Sequence, residues 1–121
     1  MNILHLTLKK KWFDMILSGE KKEEYREYKP YWISRFDFHS IDDYQNRAWE
    51  EEMRNLPDII HFTNGYGKHR PSFMIEVNDW SLAKSTHPEW GGDTTKYQFI
   101  FNLGKIIKPI DKLTTPEGDN R

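Results

Sequence analysis

Lys21, Glu24 and Arg26 are the closest-set group of side chains able to do chemistry, within the run Gly19-Glu20-Lys21-Lys22-Glu23-Glu24-Tyr25-Arg26. On an extended chain, side chains two positions apart share a face, so Glu24 and Arg26 stand together. A carboxylate beside a guanidinium stays ionised, and the ordinary outcome is a structural salt bridge. Lining a cleft, the same pair would orient a polar guest. Arginine grips a carboxylate or phosphate through two parallel bonds, and glutamate accepts from a base amino group. Lys21 would act as a general base only with its amine brought down by burial or by neighbouring cations.

A second group lies in the loop Asn64-Gly65-Tyr66-Gly67-Lys68-His69-Arg70-Pro71. The spacing is not that of a phosphate-binding P-loop. Two readings stand. The two glycines serve an ordinary polar hairpin, or Tyr66 stacks a base while Lys68 and Arg70 neutralise phosphates beside Asn64. A third feature is Lys9-Lys10-Lys11 at the start of a helix. The helix dipole favours anions there. Either these lysines are simply solvated, or Lys9 faces a site that takes an anion.

Metal chemistry finds little support. The histidines are His5, His39, His61, His69 and His87, with no pair at the i, i+4 spacing of a helical zinc site. His5 and His61 read as packed strand residues. There is no cysteine, which excludes disulfides, thiolate metal sites and cysteine nucleophiles. No metal and no cofactor are expected.

These groups need elements to hold them. Residues 3–8 read as a mostly buried strand. From Lys9 to Ser18, Trp12, Phe13, Ile16 and Leu17 share a helical face, and Gly19 suits the C-terminal cap. Residues 20–28 favour helix by propensity but lack an apolar stripe of period 3.6. As a strand they would place Lys22, Glu24, Arg26 and Tyr28 on one face, with Lys21, Glu23, Tyr25 and Glu27 on the other. Pro30 opens a short helical turn through Tyr31, Trp32, Ile33 and Phe36. Ser40 starts a further helix that ends at Leu56-Pro57. Asp58–Thr63 and Ser72–Val77 read as strands, Asn78–Asp93 as a loop, and Tyr97–Leu103 as a central strand that Ile106-Ile107 can extend. Residues 1–113 are read as one domain and 114–121 as a frayed tail. Five or so strands with two or three helices indicate an α+β domain with a curled sheet or barrel.

The composition sets outer bounds. The chain has 121 residues, 36% hydrophobic and 31% charged, with a net charge of −1. Mean hydropathy is low at −0.89. Disorder is nevertheless not expected, because the charge is balanced and 5 Trp, 6 Tyr and 7 Phe can build a core. A balanced charge also excludes a whole-molecule basic field for duplex DNA, so any nucleic-acid contact must be a local patch. No apolar run approaches a membrane span or a signal peptide, and the expected location is the cytoplasm.

Several stretches, taken in order, resemble the ASCH domain family of the PUA-like superfamily, in its bacterial and phage form. They are Leu6-Thr7-Leu8-Lys9, Trp12, Ile16-Leu17-Ser18-Gly19-Glu20-Lys21 and Glu24-Tyr25-Arg26. Phe62-Thr63-Asn64-Gly65-Tyr66-Gly67 with Glu76-Val77, Pro88-Glu89-Trp90-Gly91 and Leu103-Gly104-Lys105-Ile106-Ile107 complete the set. The resemblance spans most of residues 3–107 and is weakest over the helical insertion at about 30–56. It implies a PUA-like mixed β-barrel of five or six strands, with residues 20–28 as a strand. It also implies a cleft beside the first helix, lined by Lys9, Lys21, Glu24 and Arg26, with Tyr66 and Trp90 at its mouth. The implied role is RNA-related; with the loop reading above, the leading expectation is binding of RNA, single-stranded nucleic acid or a nucleoside or nucleotide, with Trp12, Asn64, Lys68 and Arg70 as further binding residues. One branch of the family is an amidohydrolase of acetylcytidine. It carries a threonine nucleophile where this chain has Glu24, so a hydrolase here, acting on an acylated nucleoside or on RNA, would use Lys21 and Glu24 on a water. A protein interaction module with a purely structural Glu24–Arg26 pair is the third reading.

Overall fold

Leu4, Leu6 and Leu8 are buried while His5 faces outward, and this alternation makes Ile3–Leu8 strand β1. The computed structural model describes residues 2–36, 56–65 and 69–108. The helix expected from Ser40, the loop residues Tyr66 and Lys68, and the tail at 114–121 lie outside the described residues.

Helix α1, Lys10–Leu17, follows β1 directly and buries Phe13 and Ile16. It stops at Gly19, whose φ of +87° suits glycine and whose N–H donates to the Ile16 carbonyl at 3.0 Å. The chain then enters β2, Glu23–Glu27, and α2, Pro30–Arg35. No residue of α2 itself is fully buried, and its anchor is the residue that follows it. Phe36 is fully buried, Trp32 and Ile33 pack against the core, and Tyr31 is exposed. Strands β3 (Ile59–Asn64), β4 (Ser72–Ala83) and β5 (Gln98–Lys108) complete the sheet.

The five strands run in the order β1-β3-β4-β5-β2. β1 lies parallel to β3, and the other pairs are antiparallel. Among the described residues the result is a mixed, curled half-barrel with two α-helices, within the α+β class expected. Among the described strands β1 and β2 are the two outermost, and α1 joins one to the other. Inside the curl six phenylalanines, Phe13, Phe36, Phe62, Phe73, Phe99 and Phe101, are essentially solvent-free and pack with buried leucines and isoleucines. Edge-to-face contacts order them, with Phe13 to Phe73 and Phe36 to Phe99 each at 5.0 Å between ring centroids.

The structure corrects one boundary. Asn78–Asp93 is not all loop, because β4 continues to Ala83. Asn78 and Asp79 carry turn-like side chains and are exposed, but β5 pairs alongside, with Asp79 opposite Asn102 and Trp80 opposite Phe101. Register shifts between Met74 and Asp79 absorb extra residues, and bulges of this kind bend a strand and increase its twist. Cross-strand pairing overrides the local turn preference. Among the described residues no helix is long and apolar enough to cross a membrane.

Candidate functional site

Residues 20–28 lack an apolar stripe that could seat them as a helix, and the free edge of β5 supplies a partner instead. Glu24 pairs with Phe101, Tyr25 with Ile100 and Arg26 with Phe99. The strand begins only at Glu23, so Lys21 belongs to the turn that leaves α1 and escapes the strand alternation. Its N–H donates to the Met15 carbonyl at 2.9 Å, which folds it back against the helix. Strict alternation would put Lys21 across the sheet from Glu24. The turn brings the two together instead.

Lys21 is 2% exposed and Glu24 4% exposed, so both charges are removed from water. The Lys21 Nζ donates to the Glu23 carbonyl at 2.5 Å and to the Trp90 carbonyl at 2.7 Å. It lies 3.3 Å from Glu24 Oε1. The other carboxylate oxygen, Oε2, accepts from Arg26 at 3.0 Å. Glu24 thus bridges two cations. Burial pulls the Lys21 amine below the usual lysine range, and the Glu24 carboxylate opposes that pull. With three oxygens around Nζ, the three donors of the ammonium are matched, which suits a positioning role better than that of a base. Nζ also sits over the Tyr25 ring at 4.6 Å and near the Trp12 ring at 5.4 Å.

Tyr25 points its hydroxyl at Glu23 Oε1, donating at 2.8 Å. Burial raises the phenol well above its ordinary value, so it stays neutral. Arg26 is the member of the group that remains open. Its side chain is 21% exposed, one terminal nitrogen donates to the Tyr25 carbonyl at 3.1 Å, and the guanidinium lies 5.5 Å from the Trp32 ring centroid. Its Nε is buried with no hydrogen-bond partner among the described residues.

The roof over Lys21 is the 3₁₀ turn Pro88–Trp90. His87 stacks on Trp90 at 4.0 Å and 16°, and His87 Nδ1 bonds Glu89 at 2.8 Å. Gly91 closes the turn at φ +88°, and a Cβ there would stand 3.1 Å from Trp12 Cζ2. The backbone of the turn therefore packs closely against the Trp12 indole, and its left-handed φ favours glycine there.

Together these elements enclose a recess of about 320 Å³ between the two edges of the half-barrel. The structure brings Trp12, Lys21, Glu24, Arg26 and Trp90 to its wall. It does not bring the other expected residues. Lys9 is exposed at the N-cap of α1, Asn64 ends β3, and Arg70 is exposed in the β3–β4 loop; none of the three lines the recess. Sequence reasoning missed Tyr25, Glu27, Trp32 and Gln98, which do line it. Trp32 read only as part of the short helical turn that Pro30 opens. Its place against Arg26 depends on how α2 docks, which no local spacing reveals.

Past Glu27 and Gln98 the surface continues into a groove of about 550 Å³ carrying Lys29, Lys84, Lys96 and Tyr97. Lys84 Nζ lies 5.8 Å from the Tyr97 ring centroid, while Lys29 is paired with Glu27 at 3.0 Å. Among the described residues, no three His, Cys, Asp or Glu side chains gather in a way that would hold a metal. No family model, curated protein or solved structure matches this chain.

Proposed function

We propose that the recess binds a flat, hydrogen-bonding guest: a base of RNA or of another single-stranded nucleic acid, or a nucleoside or nucleotide. We also propose that the chain is an ASCH domain with a PUA-like barrel, working in the cytoplasm. The observation that carries the reading is a buried ion chain, Lys21–Glu24–Arg26, set among three indoles, those of Trp12, Trp32 and Trp90. The ion chain holds Arg26 in place, and Arg26 offers N–H groups to carbonyl or phosphate oxygens. Indoles supply stacking worth about 1–3 kcal/mol per base. The neighbouring groove with Lys84, Lys96 and Tyr97 gives a phosphate-bearing strand somewhere to continue.

The hydrolase alternative uses the same residues. It needs Lys21 free to take a proton, and Lys21 instead spends its donors on three oxygens. Binding is therefore the preferred reading.

Titration of nucleosides and short single strands at low salt, followed by tryptophan fluorescence, tests the proposal. Wild type should bind, and Arg26→Ala should weaken binding about tenfold or more, as expected for a lost charge-assisted hydrogen bond. Absence of binding to every probe overturns it. Incubation with acetylcytidine should give no product, and turnover abolished by Lys21→Ala would favour the hydrolase.

A further inference from the structure

The outer face of β1 and β3 carries two side chains that the recess does not use. His5 and His61 are register partners across these parallel strands, and their Nδ1 atoms lie 2.9 Å apart. The rings meet edge to face at 88°, with centroids 5.0 Å apart. Strand pairing produces this closeness, since neighbouring strands run about 4.8 Å apart and in-register side chains share a face. His5 is not packed as the sequence suggested; it is exposed, and His61 is half-buried.

Two imidazole nitrogens on one metal ion each lie about 2.0–2.1 Å from it. With bond angles between about 90° and 110° they stand about 2.9–3.4 Å from each other. The separation seen here falls at the right-angle end of that span. Square-planar and tetragonal coordination, preferred by Cu2+ and Ni2+, use that angle, whereas tetrahedral Zn2+ uses the wider one. Met74 is in register with His61 on β4 and adds a thioether to the same cross-strand row.

We propose that His5 and His61 chelate a late first-row divalent ion, Cu2+ or Ni2+ ahead of Zn2+, on the outer face of the sheet. In the pair as it stands, one Nδ1 donates and the other accepts. Chelation needs both Nδ1 lone pairs, so the donating ring carries its proton on Nε2 instead. Two neutral imidazoles release no net proton in this change. Among the described residues no third His, Cys, Asp or Glu joins them, and a two-histidine site of this kind is a clip rather than a catalytic cage. The clip ties edge strand β1 to β3. The two residues are 56 positions apart in the chain, so they converge only in the folded state and the metal stabilises that state alone.

Thermal unfolding of the whole chain with and without Ni2+ or Cu2+ tests this. At a metal concentration about 100 times Kd, Tm should rise on the order of 10 °C. His5→Gln and His61→Gln should each abolish the rise, because a chelate needs both rings. His87→Ala should leave it intact. On the unaltered protein, the Cu2+ electron paramagnetic resonance spectrum should show coupling to two imidazole nitrogens, a readout that does not depend on the folding of any variant. No rise in Tm at millimolar metal overturns the proposal. So does a rise that survives His5→Gln, or a spectrum with fewer than two imidazole nitrogens.

Discussion

The Nζ of Lys21 donates to the carbonyl of Trp90 at 2.7 Å, joining two turns that are 69 residues apart in the chain. One turn leaves α1 and the other roofs the recess. The bond sets how far Trp90 stands from Glu24 and Arg26, and so sets the height of the recess. A single buried ammonium couples the position of an aromatic wall to the position of an ion pair.

Lys21→Met keeps most of the side-chain volume and removes the charge. Glu24 then stays buried with Arg26 as its remaining cation among its present partners, and the carbonyls of Glu23 and Trp90 lose their donor. Removing one member of a buried ion pair costs about 3–5 kcal/mol. Urea unfolding should show a loss of about 3 kcal/mol. A loss below about 1 kcal/mol would show that the ion chain is not stabilising this fold.

Glu24→Gln attacks the same chain from its centre. Two cations, Lys21 and Arg26, would then share a buried neighbourhood without the carboxylate between them. A loss of about 2–3 kcal/mol is expected, together with weaker ligand binding as Arg26 loses its tether. A double-mutant cycle with Lys21→Met should show strong non-additivity, since the two side chains are in contact.

Tyr25 and Lys21 make opposite contributions in alkali. The native Tyr25 phenol holds its proton above the ordinary value of 10.0, so the folded chain binds more protons than the unfolded chain as pH rises past 10, and stability falls. The native Lys21 amine lies below 10.5, so the unfolded chain binds more protons between that lowered value and 10.5, and stability rises with pH there. Absorbance at 295 nm in the native protein should show a late-ionising tyrosine. Tyr25→Phe should remove that late step and flatten the alkaline fall in stability. A native titration in which every tyrosine ionises near 10 would contradict this.

Gly91→Ala places a Cβ 3.1 Å from the Trp12 ring on a backbone at φ +88°. The left-handed conformation alone costs a residue with a side chain about 1–2 kcal/mol. The turn should lift off Trp12, red-shift the tryptophan emission and weaken the Lys21–Trp90 bond. An unchanged emission spectrum and unchanged stability would show that the turn has room to move.

Phe36→Ala tests whether α2 belongs to the site. Phe36 is fully buried, with Phe99 and Phe101 at 5.0 and 5.4 Å, and it stacks on Trp32 at 5.5 Å. Its truncation should cost about 3–5 kcal/mol. Where enough fold remains at low temperature, binding in the recess should weaken as well, because Trp32 loses its seat. Differential scanning calorimetry and the fluorescence titration check the two effects.

Much of this architecture was legible in the sequence, and the reasons are local. The alternation in residues 3–8, the apolar face from Trp12 to Leu17 and the glycine after it depend on neighbours a few positions away. So do Pro30 at the start of its helical turn and the β-rich second half. The same local patterning left residues 20–28 undecided between helix and strand by propensity, and it ended β4 six residues early at Val77. In both places the missing information was the partner strand. β5 supplies a ladder for Glu23–Glu27 and another for Asp79–Ala83, and those pairings join positions far apart in the chain.

The amino-acid order by itself determined which residues can carry charge, which can stack and which cannot be nucleophiles. It also set the helix on which Trp12 rides. Only the tertiary structure decided that Lys21 turns inward to Glu24, that Trp32 walls the recess while Lys9 and Arg70 do not, and that His5 touches His61. Those are questions of closure: they depend on where two sheet edges, a turn and a short helix come to rest against a phenylalanine core. Burial energy summed over the whole chain settles that arrangement, and no spacing within one segment encodes it.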